Sequence, residues 1–263
     1  MTTCRTKSQR YNETTELHSR LVKCPLVIEE SRAYWERVVP VEHQLSAHEV
    51  FEQYWFGAKS LPWVKVLMLN LQARYGAFPE ALQVLHGWHS MKPDTRAIIC
   101  HWHLQLTDPL YREFSGDFLI ARRDAARPEL HSNTVVAWVA KNGRSNWTLP
   151  TQRKLASRLL SVALSAGLIS GRRDPRSLSF PRVGDDALAY LLYFLRSITY
   201  VGTLLDNPYL RSVGLEGHVL ESRLDKLSSL NFKRIGDLTE FNWQYPCHTA
   251  WAEADLPSYG VAP

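Results

Sequence analysis

Residues 142–183, NGRSNWTLPTQRKLASRLLSVALSAGLISGRRDPRSLSFPRV, decide how this chain is read. The window holds Arg144, Arg153, Lys154, Arg158, Arg172, Arg173, Arg176 and Arg182, and its only acid is Asp174. Eight cations against one anion exceed the net charge of +5 carried by all 263 residues, so the rest of the chain is slightly acidic. A helix is expected from about Thr151 to Ala166. At roughly 100° per residue, Leu155, Leu159, Val162, Ala163 and Ala166 fall on one side of it. Thr151, Lys154, Ser157, Arg158, Ser161 and Ser165 fall on the other, with Arg153 at the border. Gly167 follows, then a strand-like LIS at 168–170. GRRDPRS at 171–177 reads as a hairpin loop. LSFPRV at 178–183 reads as the returning strand, which Pro181 confines to a sheet edge.

A solvated surface is the ordinary meaning of a charged helix face. Such faces usually mix signs, because Glu and Lys one turn apart stabilise a helix. Here no carboxylate balances the cations, and short hydroxyls would let the helix approach a phosphate backbone closely. The pattern therefore points to a nucleic-acid partner, with double-stranded DNA favoured. Lys154, Ser157 and Arg158, beside Thr151, would face the groove. Arg153 and Arg144 would touch phosphates, and Arg172, Arg173 and Arg176 would form the wing contact.

Working outward, helix signals dominate. VIEESRAYWERVV at 27–39 has near-helical apolar spacing up to Pro40. Ser46 and Glu49 form a capping-box pattern. Ser60, with Pro62 in the first turn, opens a helix whose Val64, Leu67, Leu71 and Tyr75 share a face and which Gly76 ends. Pro79 opens another, through Leu85. Asp94 is expected to cap TRAIICHWHLQL, and Asp108 to open LYREFSGDFLIARRDA. Arg127-Pro128 reads as a linker. Ser132 or Asn133 is expected to cap TVVAWVAKN, with Gly143 at the C′ position. Beyond the basic window, Asp185 can cap DALAYLLYFLRSITY, HVLESRLDKLSSL is amphipathic, and FKRIGDLTEFNWQYP reads as two strands around a turn.

Helix, helix, helix, hairpin is the order of a winged helix. The expected fold is therefore mainly α: a helical N-terminal half, then one or two winged-helix-like units with short hairpins. The expected organisation is a polar arm at 1–20, a helical domain at 21–127, a basic winged-helix-like unit at 131–183, a second at 184–247, and a tail at 248–263. The helix of the second unit mixes Glu221 and Asp225 with Arg223 and Lys226, which fits scaffolding better than DNA reading.

Other chemistry is weakly signalled. Cys4, Cys24, Cys100 and Cys247 show no CxxC spacing, which fits a reducing interior. The N-terminus lacks an apolar signal core, and the run Ala187–Leu195 is too short to span a bilayer, so a cytoplasmic protein with no membrane partner is expected. His86, His89, Cys100, His101 and His103 crowd together, but residues two apart on a helix diverge, so packing is preferred to a metal site. GAKS at 57–60 lacks the full phosphate-loop pattern, and no GxSxG element or carboxylate set for a nuclease is assembled. No cofactor, metal or catalytic residue is expected.

The chain resembles the BrxA family of bacteriophage exclusion (BREX) systems. The resemblance is carried, in order, by LVIEESRAYWE, KSLPWVKVLMLNLQARY, LTDPLYREFSGDFL, WTLPTQRKLASRLLSVALSAGLI and ALAYLLYFL, and covers roughly residues 20 to 245. It implies a non-enzymatic, mostly helical DNA-binding accessory protein of a phage-defence system, whose partners include a methyltransferase and ATPases. Competing readings are a winged-helix transcriptional regulator, an assembly adaptor whose basic patch contacts an acidic partner, and an RNA-binding protein.

Overall fold

The computed structural model describes residues 10–38, 45–236 and 238–261. The chain is mainly helical, with three small sheets among the described residues. It opens with strand β1 (Tyr11–Asn12) and helices α1 (Arg20–Lys23), α2 (Ile28–Arg37), α3 (Ala47–Glu52), α4 (Leu61–Leu71), α5 (Pro79–Gly87), α6 (Pro93–Thr107), α7 (Pro109–Glu113) and α8 (Leu119–Arg123). The expected stop of α2 at Pro40 lies outside the described residues. α3 starts on the expected capping box: the Ser46 hydroxyl accepts from the Glu49 N–H, and the Glu49 carboxylate from the Ser46 N–H. Ser60 stands at the N-cap of α4 without a side-chain cap bond. Val64, Leu67, Leu71 and Tyr75 are all buried, and the helix continues through a π-helical turn at Gln72–Gly76. α6 starts at Pro93 with Lys92 at the N-cap, so Asp94 lies inside the first turn rather than capping it. Asp108 does cap α7, accepting from the Tyr111 N–H at 3.0 Å.

Every residue of α6 from Ile98 to Thr107 is buried, although His101, His103, Gln105 and Thr107 are polar. A helix buried all round must satisfy its polar groups internally. His101 lies between the Tyr111 and Ser212 hydroxyls at 2.7 and 2.9 Å, and His103 between the Tyr190 hydroxyl and the Arg74 carbonyl at 2.7 and 3.2 Å. The second half of the chain closes around α6.

After α8 come β2 (Glu129–Leu130), α9 (Ser132–Asn142), α10 (Leu149–Ser165), β3 (Ile169–Ser170) and β4 (Arg176–Leu178). β4 lies between β2 and β3, antiparallel to both, with Leu130 opposite Arg176 and Ile169 opposite Leu178. The stretch after Arg127-Pro128 thus supplies a strand. The returning strand also ends before Phe180 and Pro181, earlier than expected, because proline cannot donate to a ladder.

The remaining elements are α11 (Asp185–Leu195), β5 (Ile198–Thr199), α12 (Pro208–Ser212), α13 (Gly217–Leu224), β6 (Leu230–Ile235), β7 (Leu238–Trp243) and α14 (His248–Asp255). Three helices and a hairpin follow in the expected order, but no third strand joins the hairpin. β5 pairs in parallel with β1, leaving β6 and β7 as a two-stranded hairpin. α11, buried along Ala187–Leu195, packs on α6 and α14. Residues 184–247 are therefore built into the N-terminal helices.

Of the polar arm expected at 1–20, residues 1–9 lie outside the described residues, but Glu13 is anchored. Glu13 is buried, receives the Tyr209 hydroxyl, accepts from the Val201 N–H at 3.1 Å and pairs with Arg112 at 3.5 Å. Within the segment expected as a tail, His248–Asp255 forms α14. Its Trp251 is buried, lies edge-on to Trp88 and stacks on Tyr193 at 5.7 Å. Among the described residues no helix is long and apolar enough to cross a membrane.

Candidate nucleic-acid interface

α9 and α10 are joined by a tight turn at 143–148. Gly143 takes extended backbone rather than the left-handed C′ geometry expected of it. Its lack of a side chain still matters: a Cβ there would lie 2.6 Å from the Trp147 ring and 2.7 Å from the Val139 carbonyl oxygen. Trp147 folds over this glycine, and its carbonyl accepts from the Gln152 amide at 2.9 Å. α10 begins two residues before the expected Thr151, because Pro150 is welcome in a first turn that donates no bond there. At the far end Gly167, at φ +74°, turns the chain into β3.

Neither Ser132 nor Asn133 caps α9; His131 holds the N-cap position without a cap bond. The cap comes from the hairpin loop. The Asp174 carboxylate accepts from the Ser132 N–H at 2.8 Å and from its hydroxyl at 3.1 Å, and it pairs with Arg176. Desolvation raises the Asp174 carboxyl, but the two Ser132 bonds and the charges of Arg176 and His131 outweigh it and hold it below the usual aspartate value. The one acid of the basic window thus ties the loop to α9.

The expected division of α10 is present. Leu155, Leu159, Val162, Ala163 and Ala166 are buried, with Ala156 and Leu160. Arg153, Lys154, Ser157, Arg158, Ser161 and Ser165 are exposed. They form a ridge flanked on the Arg153 side by α9 and on the Arg158 side by α1. Between the ridge and α9 runs a groove of about 880 Å³. Val136, Ala137, Ala140, Leu160 and Leu164 form its apolar floor. Arg153, Ser157, Arg172 and Arg176 stand along it.

The expected site residues therefore divide. Arg153, Ser157, Arg172 and Arg176 meet at the groove, whereas Lys154 and Arg158 lie toward the opposite flank. Arg144 is away from the groove, in an ion pair with Glu16 at 2.7 Å. Thr151 is half-buried, 3.2 Å from the Thr148 hydroxyl. Arg158 donates to the Val22 carbonyl at 3.2 Å. Arg176 donates to the Ser132 hydroxyl and the Arg172 carbonyl besides Asp174, so it holds the loop in place. Arg153, Lys154, Arg172 and Arg173 are exposed, and no partner touches their side chains among the described residues.

Two contributors escape a linear reading. Arg123 of α8 donates to the carbonyls of Leu168 and Ser179 and lies 4.0 Å over the Phe180 ring, bracing the base of the hairpin. Desolvation lowers its pKa to about 10. Arg20 and Lys23 of α1 are exposed beside α10. Nothing in their local pattern marks them, since only the tertiary contact brings them there.

The histidine cluster is dispersed. His86 donates from Nδ1 to the Trp35 carbonyl at 2.8 Å, and His101 and His103 are engaged with different partners in the core. Among the described residues no three His, Cys, Asp or Glu side chains are grouped to hold a metal.

No model of a known protein family matches the chain, and no curated protein matches it. An uncharacterized protein from Magnetospirillum magneticum, solved by crystallography, is similar in fold, with a TM-score of 0.54 and 15% sequence identity over 70% of this chain and 98% of that one. That likeness concerns the fold alone.

Proposed function

We propose that this chain is a non-catalytic protein that binds duplex DNA through the α10 ridge and the 171–175 loop. Its setting, on the resemblance to the BrxA family, is a bacterial phage-defence assembly of the BREX type. The carrying observation is the exposed ridge of α10, where hydroxyls and cations stand together with no carboxylate among them. The succession β2, α9, α10, β3, β4, with β4 central in the sheet, supports a winged-helix reading of this unit. In that arrangement the second of the paired helices enters the major groove and the loop reaches the adjacent backbone. Asp174 and Arg123 keep the loop beside the ridge. The second hairpin, β6–β7, lacks the third strand and serves the helical body instead.

The test replaces Arg153, Lys154 and Arg172 together by Glu and measures anisotropy of a labelled 25-base-pair duplex at 50 mM salt. Affinity should fall by on the order of a hundredfold or more. Unchanged affinity in a folded variant would remove this site from consideration.

A second reading draws on the apolar floor of the groove, which phosphates do not need. An acidic amphipathic segment of a partner subunit would seat apolar residues there and its carboxylates on Arg153, Arg172 and Arg176. Partner capture that survives nuclease treatment and is lost on Ala137→Glu would favour it.

A further inference from the structure

α1 is a four-residue helix far from the basic window in sequence, yet it packs directly on α10. Leu21 within it and Cys24 at its C-cap are buried, at 1% exposure each. Arg20 and Lys23, three apart, share the outward face. Both are exposed and without a side-chain partner among the described residues.

Three acids that flank α1 in sequence are paired with other cations. Glu16 pairs with Arg144 at 2.7 Å, Glu29 with Arg96 at 3.2 Å and Glu30 with Lys59 at 3.4 Å. Nor is α1 a loose arm. The Arg158 guanidinium holds the Val22 carbonyl from the α10 side. From the core side the buried Arg74 guanidinium donates to the carbonyls of Cys24, Pro25 and Leu26 at 3.4, 3.2 and 3.0 Å. Just upstream, the His18 ring meets the Thr107 carbonyl at 2.8 Å.

We propose that Arg20 and Lys23 form a second phosphate-contacting rim, so that duplex DNA is held on both sides of the α10 ridge. This rests on the DNA reading above. One rim is Arg153 with the loop arginines; the other is α1 with Lys154. Arg158 is a positioning residue that fixes α1 against the ridge. A preset rim contacts phosphate without first paying to be ordered.

The experiment uses the full chain with Arg20→Gln and Lys23→Gln together. A control carries Lys65→Gln and Lys92→Gln, two exposed lysines on α4 and ahead of α6 that lower the net charge equally. Binding of a labelled 25-base-pair duplex is followed from 50 to 200 mM salt, with thermal melts to establish folding. The rim variant should lose about tenfold in affinity at 100 mM salt, and its log–log salt slope should be shallower by about 1.8. The control should stay near wild type. Equal losses in both variants would assign the effect to overall charge and overturn the rim. So would a wild-type response of the rim variant while Arg153→Gln with Lys154→Gln weakens binding. A wild-type chain that ignores duplex even at 50 mM salt would instead overturn the DNA reading, and the rim with it.

Discussion

His248 is buried at the start of α14, and neither ring nitrogen has a hydrogen-bond partner among the described residues. Its ring stacks against Phe194 and Trp251. A buried polar group without a partner costs roughly 1–3 kcal/mol. His248→Phe should therefore raise the melting temperature, by about 2–4 °C for each kcal/mol recovered. With His101 and His103, His248 shares another property. Desolvation lowers each from 6.5 to about 3, so all three are neutral in the fold. Below pH 6.5 the unfolded chain binds protons that the folded chain refuses. Stability is thus fully present above pH 6.5 and falls as pH drops toward 3. Between pH 8 and pH 5 each imidazole forfeits about 2 kcal/mol. Urea melts across that range should show a steep loss of stability, and a flat profile would mean that these rings titrate normally. The sequence placed His101 and His103 on diverging sides of a helix by spacing alone. It could not have paired them with Ser212 and Tyr190, which arrive from the second half of the chain.

At the scale of elements, the turn between α9 and α10 decides where the ridge points. Gly143→Ala puts a methyl into both the Trp147 ring and the Val139 carbonyl, and the carbonyl belongs to a helix that cannot yield. The variant should lose about 1–3 kcal/mol in a urea melt. It should also bind DNA more weakly although every cation is retained. The legible part of this region was periodic: the buried and exposed sides of α10 follow from 3.6-residue spacing, and a hairpin after it from its Gly, Asp and Pro residues. The illegible parts were relational. Asp174 caps α9 from forty-two residues away, so neither Ser132 nor Asn133 had to. The segment 248–263 reads as a tail, half of its apolar residues being alanine, yet Trp251, with Ala252 and Leu256 buried near it, inserts α14 beside α5 and α11. The second hairpin has the right order of elements but no third strand, because β5 is taken by β1.

For the molecule as a whole, three of the side chains suited to read bases are already occupied. Gln152 is bound to the Trp147 carbonyl, Arg158 to that of Val22, and Arg176 to Asp174 and Ser132. What the ridge offers freely is Arg153, Lys154 and three serines. Binding should accordingly follow the backbone. Unrelated 25-base-pair duplexes should compete within about threefold of one another, while affinity falls on the order of a thousandfold from 50 to 200 mM salt. A single preferred sequence, more than a hundredfold above the rest, would contradict this and favour a transcriptional regulator.

The attachment of α1 to α10 also gives the surface an order in time. In order of synthesis α1 precedes both groups that hold it: Arg74, 50 residues beyond Cys24, and Arg158, 136 residues beyond Val22. A nascent chain halted before α10 would hold only Arg20 and Lys23 of the whole surface. Competence for a polyanion then waits on the later elements, when β2, α9, α10 and the hairpin can close on a helix already made.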